Sequence, residues 1–342
     1  VVGLAAPFFN VSDKEHGRIA VSNICDAQGR RPLLLSPAFK DYIWGGNRLK
    51  RDWGKRTDMT PLAESWELSC HEAGPSVIAG GAYAGRTLGE YLAEHPQDAG
   101  TKAQNAGAFP LLIKLIDVQV HPDDAYAREF EHSLGKSEMW LVLDASEGAG
   151  IYYGFKRETS LAEMRAAIEN NTLTELLSWV PAKTGDCFFI PAGTVHAIGA
   201  GLMVAEVQQS SNLTYRVYDY GRVGADGRPR ELHIDKALAV ARREPPKDPV
   251  GPTEPERAVA GGRIQPLFSC DKFTTETRTV EGEMADSVSP ESFVSLLVLA
   301  GEGAIRHGGE TYPVKKGQSV FLPAGLGDYA LTGRMKLLWT RV

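Results

Sequence analysis

The sequence predicts a mainly β fold in which one small barrel of hairpins is followed by a second, degenerate copy of itself. Two observations carry this reading. Short apolar runs of strand length alternate with Gly/Pro turns: LLIKLIDVQV (111–120), MWLVLD (139–144), GIYYGF (150–155), DCFFIP (186–191), LMVAEVQ (202–208) and LTYRVYDYG (213–221). In addition, KTGDCFFIPAGTVHAI (183–198) lines up with KKGQSVFLPAGLGDYA (315–330), matching Gly185 with Gly317, Pro191 with Pro323 and Gly193 with Gly325. Upstream, LVLDASEGAGI (141–151) matches LVLAGEGAI (297–305) with a two-residue gap. A repeated Gly turn, apolar strand and Pro-x-Gly turn is the pattern of a duplicated β-barrel.

Residues 1–30 carry little periodicity and read as an extension, and regular structure begins near RPLLLSPAFKDYIWGGNRL. A few helices interrupt the strands. PDDAYAREFEHSL (122–134) opens with Pro and two Asp, as the first turn of a helix prefers. SLAEMRAAIENNTLTELLSWV opens with Ser160 and Glu163 at capping-box spacing, and Leu161, Met164 and Ile168 recur at helical intervals. ELHIDKALAVAR (231–242) is a third. In LTYRVYDY, Leu213, Tyr215, Val217 and Asp219 share one strand face, which leaves Arg216 with Thr214, Tyr218 and Tyr220 on the other. The stretch 243–262 is dense in Pro and charge and reads as a linker. The expected domains are an N-terminal extension (1–30), a first barrel with helical insertions (31–242), the linker (243–262) and a second barrel (263–342).

The length of 342 residues, with 43% apolar and 23% charged side chains, fits a soluble two-domain protein. A balance of 37 basic against 43 acidic residues gives a formal charge of −6, which argues against nucleic acid or an anionic membrane as the main partner. No apolar run approaches the roughly 20 residues of a membrane span. The opening VVGLAAPFFNVSDKEHGR lacks the basic start and continuous apolar stretch of a signal peptide. The four cysteines are far apart with no C-x-x-C pair, and read as buried small residues in a reducing, cytoplasmic setting.

Three features of the first copy converge on one site. In IDVQVHPDD, Gln119 and His121 stand two apart on a strand-like run, so their side chains leave the same face. In GKSEMW, Glu138 precedes a second strand by one residue; in IPAGTVHAIG, His196 follows a Pro-Ala-Gly turn at the end of a third. Two imidazoles, a carboxylate and a carboxamide oxygen suit Zn²⁺, Fe²⁺, Mn²⁺ or Co²⁺, and zinc is taken as the metal. Each element also has a structural reading: a strand-to-helix corner for His121, an exposed ion pair for Glu138 with Lys136, and a core histidine bonded to a carbonyl for His196. In the second copy Asp328 stands at the position of His196, with nothing like the other ligands before it.

The segments IDVQVHPDDAYA, GKSEMWLVLDA, IPAGTVHAIGAGLMVAEVQQSSNLTYRVYDYGR and FKDYIWGG…ESWELSCH resemble class I mannose-6-phosphate isomerases of the shorter bacterial and archaeal form, over about residues 33–342. The resemblance implies a cupin fold of two jelly-roll barrels, the first catalytic and the second degenerate, with a few additional helices. It also implies one Zn²⁺ per chain and interconversion of mannose 6-phosphate with fructose 6-phosphate. The family's metal ligands fall on Gln119, His121, Glu138 and His196. Its active-site arginine falls on Arg216, and a lysine lining its sugar-phosphate pocket falls on Lys136. The N-terminal extension and Cys70 depart from the family pattern.

Such a reaction moves a proton between C1 and C2 through an enediol(ate), whose developing oxyanion needs a positive or Lewis-acidic neighbour. Arg216 stays protonated and suits hydrogen bonding to the C1 and C2 oxygens; pairing with Asp219 is its structural alternative. Lys136, His71, Glu67 and a metal-bound water are candidates for the base. No P-loop or G-x-G-x-x-G is present, so phosphate is expected to meet side chains such as Lys136, Arg48, Arg222 and Ser/Thr hydroxyls. The second copy is expected to buttress the first. Competing readings are a cupin isomerase of another sugar, a sugar-sensing cupin protein, and a dioxygenase, which the Gln119-Val-His121 pattern disfavours.

Overall fold

A computed structural model describes residues 29–42, 45–105, 109–115, 135–211, 213–219, 227–228, 231–248 and 250–342. The chain divides into two units, Val1–Arg30 and Arg31–Val342, and the fold below is that of the second. Gln119, His121, the helix expected over 122–134 and Arg222 all lie outside the described residues.

Three sheets make the framework. The six-stranded sheet runs β2 (Ala38–Lys40), β3 (Glu64–Leu68), β5 (Leu111–Leu115), β11 (Leu202–Gln209), β6 (Glu138–Ala145), β9 (Cys187–Ile190), every neighbour antiparallel. The three-stranded sheet runs β10 (His196–Ile198), β7 (Gly150–Phe155), β8 (Leu177–Pro181). The ten-stranded sheet runs β12 (Arg257–Val259), β13 (Gly262–Ser269), β14 (Thr274–Val280), β19 (Gly327–Arg341), β16 (Val294–His307), β18 (Ser319–Leu322), β1 (Leu33–Ser36), β4 (Val77–Ile78). In that sheet β15 (Glu283–Val288) adds to β19 and β17 (Glu310–Lys315) to β16. Five α-helices occur among the described residues: α1 (Arg48–Trp53), α2 (Leu88–Glu94), α3 (Thr101–Asn105), α4 (Leu161–Glu169) and α5 (Ile234–Val240).

The strands are apolar on both faces because both faces are covered. Between the six- and three-stranded sheets, Trp140, Val142, Phe188 and Val204 meet Ile151, Tyr153 and Ile198. On the other face, Ile113, Met139, Leu141 and Val207 pack with Leu297, Phe321 and Leu338 of the ten-stranded sheet and with Phe293 just before β16. That sheet closes on a core of its own around Val298, Leu322, Leu331 and Leu337. Most of β6 and β11 is therefore fully buried, and a charged residue within either strand needs a buried partner.

The repeat is real at the level of backbone angles. Gly185 and Gly317 have φ of 94° and 83°, and Gly193 and Gly325 have φ of 87° and 73°. These left-handed angles explain why both copies hold glycine there. Ile190 pairs with Glu138 as Leu322 pairs with Val294, so β9 and β6 superimpose in register on β18 and β16. No helix among the described residues is long and apolar enough to cross a membrane.

Three expectations change in detail. The helix that starts at Ser160 ends at Glu169, because Asn171 takes a left-handed φ of 58° and turns the chain toward β8. Residues 213–219 form no strand beyond a single bridge position at Tyr215. Their backbone bonds go sideways instead: the Arg216 N–H donates to His233 Nδ1 at 3.1 Å, and the Arg216 carbonyl accepts from the His233 N–H at 2.8 Å. The stretch 243–262 is not wholly irregular, since β12 forms a hairpin with β13. β1 and β4, early in the chain, extend the sheet of the second copy rather than that of the first.

Candidate active site

The strand register gathers a row of charges on the face of the six-stranded sheet that looks into the first barrel. Lys114 on β5 lies opposite Glu206 on β11, which lies opposite Trp140 on β6. Gln208 lies opposite Glu138, and Trp66 on β3 lies opposite Lys114. Directly opposed residues of antiparallel strands point to one side, so these residues share a face. Lys114, Lys136, Glu138, His196 and Glu206 are each at most 5% exposed.

Lys136 is ion-paired with Glu138 Oε1, and its ammonium is 3.5 Å from Glu206 Oε1. The pair read from sequence as a possible surface contact is thus buried. Burial alone would lower the Lys136 pKa, but the charges of Glu138 and Glu206 outweigh it and raise it. Burial also works against the Glu138 carboxylate, yet Lys136 and His196 hold its pKa below the usual range. Burial and the neighbouring Glu138 charge push Glu206 up, toward a neutral carboxyl hydrogen-bonded to Glu138. Burial pulls Lys114 down, with Glu206 opposing.

His196 opens β10 after the Pro-Ala-Gly turn. Its Nδ1 lies 2.8 Å from the Thr194 carbonyl, an acceptor, so Nδ1 carries the proton. Burial keeps the ring neutral by lowering its pKa. Nε2 is then a lone pair, and it faces Glu138 Oε2 at 3.5 Å, with the Trp140 ring edge-on at 5.0 Å. A neutral imidazole fixed by a carbonyl on one nitrogen and turned toward a carboxylate with the other is how protein donors are prepared for a metal. Glu138 and His196 therefore fit a divalent cation. Among the described residues no group of three or more His, Cys, Asp or Glu is arranged to hold one, and Gln119 and His121 lie outside them.

The face continues toward the barrel rim. Trp66 Nε1 donates to Glu64 Oε2 at 2.7 Å, with the ammoniums of Lys40 and Lys114 over its ring at 4.7 and 4.9 Å. His71 stands edge-on to Trp66 at 5.9 Å, and burial lowers its pKa. Trp140 Nε1 and Gln208 Oε1 are buried on this face without a hydrogen-bond partner among the described residues. Glu67 is not with them. It is bound to Lys55 Nζ at 2.5 Å and to Ser65 Oγ at 2.6 Å on the opposite side of β3, which removes it as a base. Arg216 is half-buried and donates to the Glu231 carbonyl at 3.0 Å. Arg48 bonds to Asp144, at the far end of β6 from Glu138.

Sequence reasoning missed Glu206, Lys114 and Glu64. The signal was present: LLIKL and LMVAEVQQ each place one charge inside an otherwise apolar strand. The second copy does not repeat this set: apolar residues take the places of Glu138 and Glu206, and Glu276, paired with Arg278, takes that of Lys114. Val294 occupies the register of Glu138, and Trp339, opposite Leu296 and Glu276, that of Glu206. Trp339 is capped by the Arg278 guanidinium at 4.6 Å.

Comparison with known proteins agrees with this arrangement. Residues 33–146 match the catalytic domain of phosphomannose isomerase type I, and residues 263–342 match the cupin domain of mannose-6-phosphate isomerase. The mannose-6-phosphate isomerase of Streptococcus mutans is 38% identical, covering 90% of this chain and 97% of that protein. ManA, the mannose-6-phosphate isomerase of Bacillus subtilis, is 38% identical, covering 88% of this chain and 96% of its own. A crystal structure of mannose 6-phosphate isomerase from Bacillus subtilis matches with a TM-score of 0.82 at 36% identity, over 91% of this chain and 99% of that one. With two barrels in register and these matches over nine-tenths of its length, the chain belongs to the type I phosphomannose isomerase family of cupin-fold aldose–ketose isomerases.

Proposed function

We propose that this chain interconverts mannose 6-phosphate and fructose 6-phosphate through an enediol(ate), with one zinc ion held by Gln119, His121, Glu138 and His196. The observation that carries the reading is the Glu138–His196 donor pair beside the buried Lys136–Glu206 charges, in a chain of this family. Zinc, when bound, supplies Lewis acidity next to the substrate oxygens.

The remaining chemistry belongs to the chain. Lys136, held protonated by two carboxylates, is poorly suited to act as a base. It supplies positive charge and N–H donors to an oxyanion that develops at C1 or C2. Glu206, whose pKa burial and the Glu138 charge push up and which lies 3.5 Å from Lys136, is the carboxyl assigned to proton transfer. Arg216 contributes a permanent cation for the sugar oxygens. His71 and Trp66 line the rim, where an apolar ring face and a neutral imidazole limit access of water. The domain division at 243–262 is part of the same proposal: residues 31–242 carry the chemistry, and 263–342, joined by β1 and β4, buttress it.

The test is isomerisation of mannose 6-phosphate in D₂O, followed by NMR on purified, chelator-treated and zinc-restored protein. Solvent deuterium entering at C1 or C2, loss of turnover on chelation and its return with Zn²⁺ are expected. Turnover that survives chelation would overturn the metal, while deuterium at C1 or C2 supports the enediol(ate) over a direct hydride shift.

A further inference from the structure

Away from the first barrel, a cleft of about 560 Å³ opens where α1, the outer end of β6 and the second copy meet. Its charge is opposite in sign to that of the chain. Four cations line it, Arg48, Arg51, Lys316 and Lys336, against two carboxylates, Asp52 and Asp144, in a protein of formal charge −6. The carboxylates are engaged with the arginines: Arg48 bonds to Asp144, and Arg51 Nε is 2.6 Å from Asp52 Oδ1. Among the described residues neither lysine has an ion-pair partner, so the two lysines carry the cleft's net positive charge.

Those lysines are held at one place. The Lys316 N–H donates to the Gly301 carbonyl at 2.9 Å, and its ammonium lies 4.7 Å from the centre of the Trp53 ring. Lys336 pairs in register with Ala300, next to Gly301, so both side chains start from one point on β16. A second hollow of about 640 Å³ shares Ala300 and Lys336 and adds Arg334 and Glu281. The remaining wall is mixed, with Thr184 and Gly185 beside the half-buried Leu143 and the edges of Trp53 and Met203. A cleft of this size accommodates a small metabolite, and its lining asks for one end to be anionic and the other less polar. Six residues separate Glu138 from Asp144 along β6, about 20 Å of extended strand, so this cleft is not the catalytic pocket.

We propose that this cleft binds a small organic phosphate, its phosphoryl group between Lys316 and Lys336 and its less polar part against Leu143 and the edge of Met203. Lysine ammoniums beside a less polar wall recognise that combination, while the Arg48–Asp144 bond keeps the floor of the cleft rigid.

The experiment is calorimetric titration with AMP as probe, on wild type and on the Lys316→Glu/Lys336→Glu variant, with adenosine and inorganic phosphate as controls. Titrations are run with and without saturating mannose 6-phosphate. The proposal expects AMP to bind in the presence of mannose 6-phosphate and both controls to bind at least about tenfold more weakly. It also expects the variant to lose at least about tenfold in AMP affinity. Both lysines are exposed and lie outside the first barrel, so the variant should keep wild-type kcat/KM for mannose 6-phosphate. Displacement of AMP by mannose 6-phosphate would put the binding in the catalytic pocket and overturn the proposal. So would equal binding of adenosine, unchanged AMP affinity in the variant, or no binding at millimolar AMP.

Discussion

Replacing Lys136 with methionine removes the cation from a site where Glu138 is wholly buried and Glu206 nearly so. The side chain keeps its length, so the effect is that of the charge. At 3.5 Å and an effective dielectric constant of about 20, the Lys136–Glu206 attraction alone amounts to about 5 kcal/mol when both are ionised. Raising the pKa of Glu206 toward neutrality reduces that figure, while the closer Glu138 contact adds to it. Breaking a buried pair by removing one partner typically costs about 3–5 kcal/mol, because the other charge is left behind. Lys136→Met is therefore expected to lower the unfolding free energy of chelator-treated protein by about 3–5 kcal/mol in urea titrations, with an unchanged m value. Lys136→Met/Glu138→Gln should recover at least about 2 kcal/mol relative to the sum of the two single variants, since it removes the stranded carboxylate. A Lys136→Met protein within about 0.5 kcal/mol of wild type, or strict additivity in the double variant, would refute the argument.

Further outcomes follow from the same structure. Gly185→Ala and Gly317→Ala both force alanine into a left-handed φ, but a Cβ at Gly185 meets nothing within 4 Å, whereas at Gly317 it falls 2.4 Å from the Trp53 carbonyl. Urea titration should show a loss of about 1 kcal/mol for the first and at least twice that for the second. Ser295, Ser319 and Thr340 have buried hydroxyls with no hydrogen-bond partner among the described residues, so Thr340→Val should be neutral or stabilising by up to about 1 kcal/mol in the same assay. The Glu163 carboxyl is held down to about 2 by Arg157 and by the cap hydrogen bonds from Ser160. Because its folded pKa is depressed, its support of α4 is complete above the unfolded carboxyl pKa of about 4.3 and is lost as pH falls toward 2. A carbon-13 carboxyl titration should record that low value, and Ser160→Ala should raise it.

What could be read from the sequence was what local chemistry determines. The glycines of the repeat were legible because left-handed turns leave few other residues, and α4 was legible from its capping box. The apolar runs announced β6, β7, β9 and β11 within a residue or so. What escaped depended on contacts far apart in the chain. Lys114 and Glu206 passed unremarked within apolar runs; both faces of their sheet are covered, so they lie opposite one another on the face toward the barrel. Residues 213–219 have strand composition, yet His233 takes both backbone bonds of Arg216 that a neighbouring strand would need. The placement of β1 on β18 joins segments some 285 residues apart, which no local pattern encodes. Glu67 and Glu64 are alike in sequence context and lie on opposite sides of β3, so only the pairing of strands tells which one faces the site.

The most direct test of the account is to measure bound metal and mannose 6-phosphate turnover on the same preparations of wild type, His121→Ala and His196→Ala. The account predicts about one zinc per wild-type chain, formation of fructose 6-phosphate, and the loss of both metal and turnover in each variant while the fold persists. Full turnover in metal-free wild type, or variants that keep both metal and activity, would contradict it.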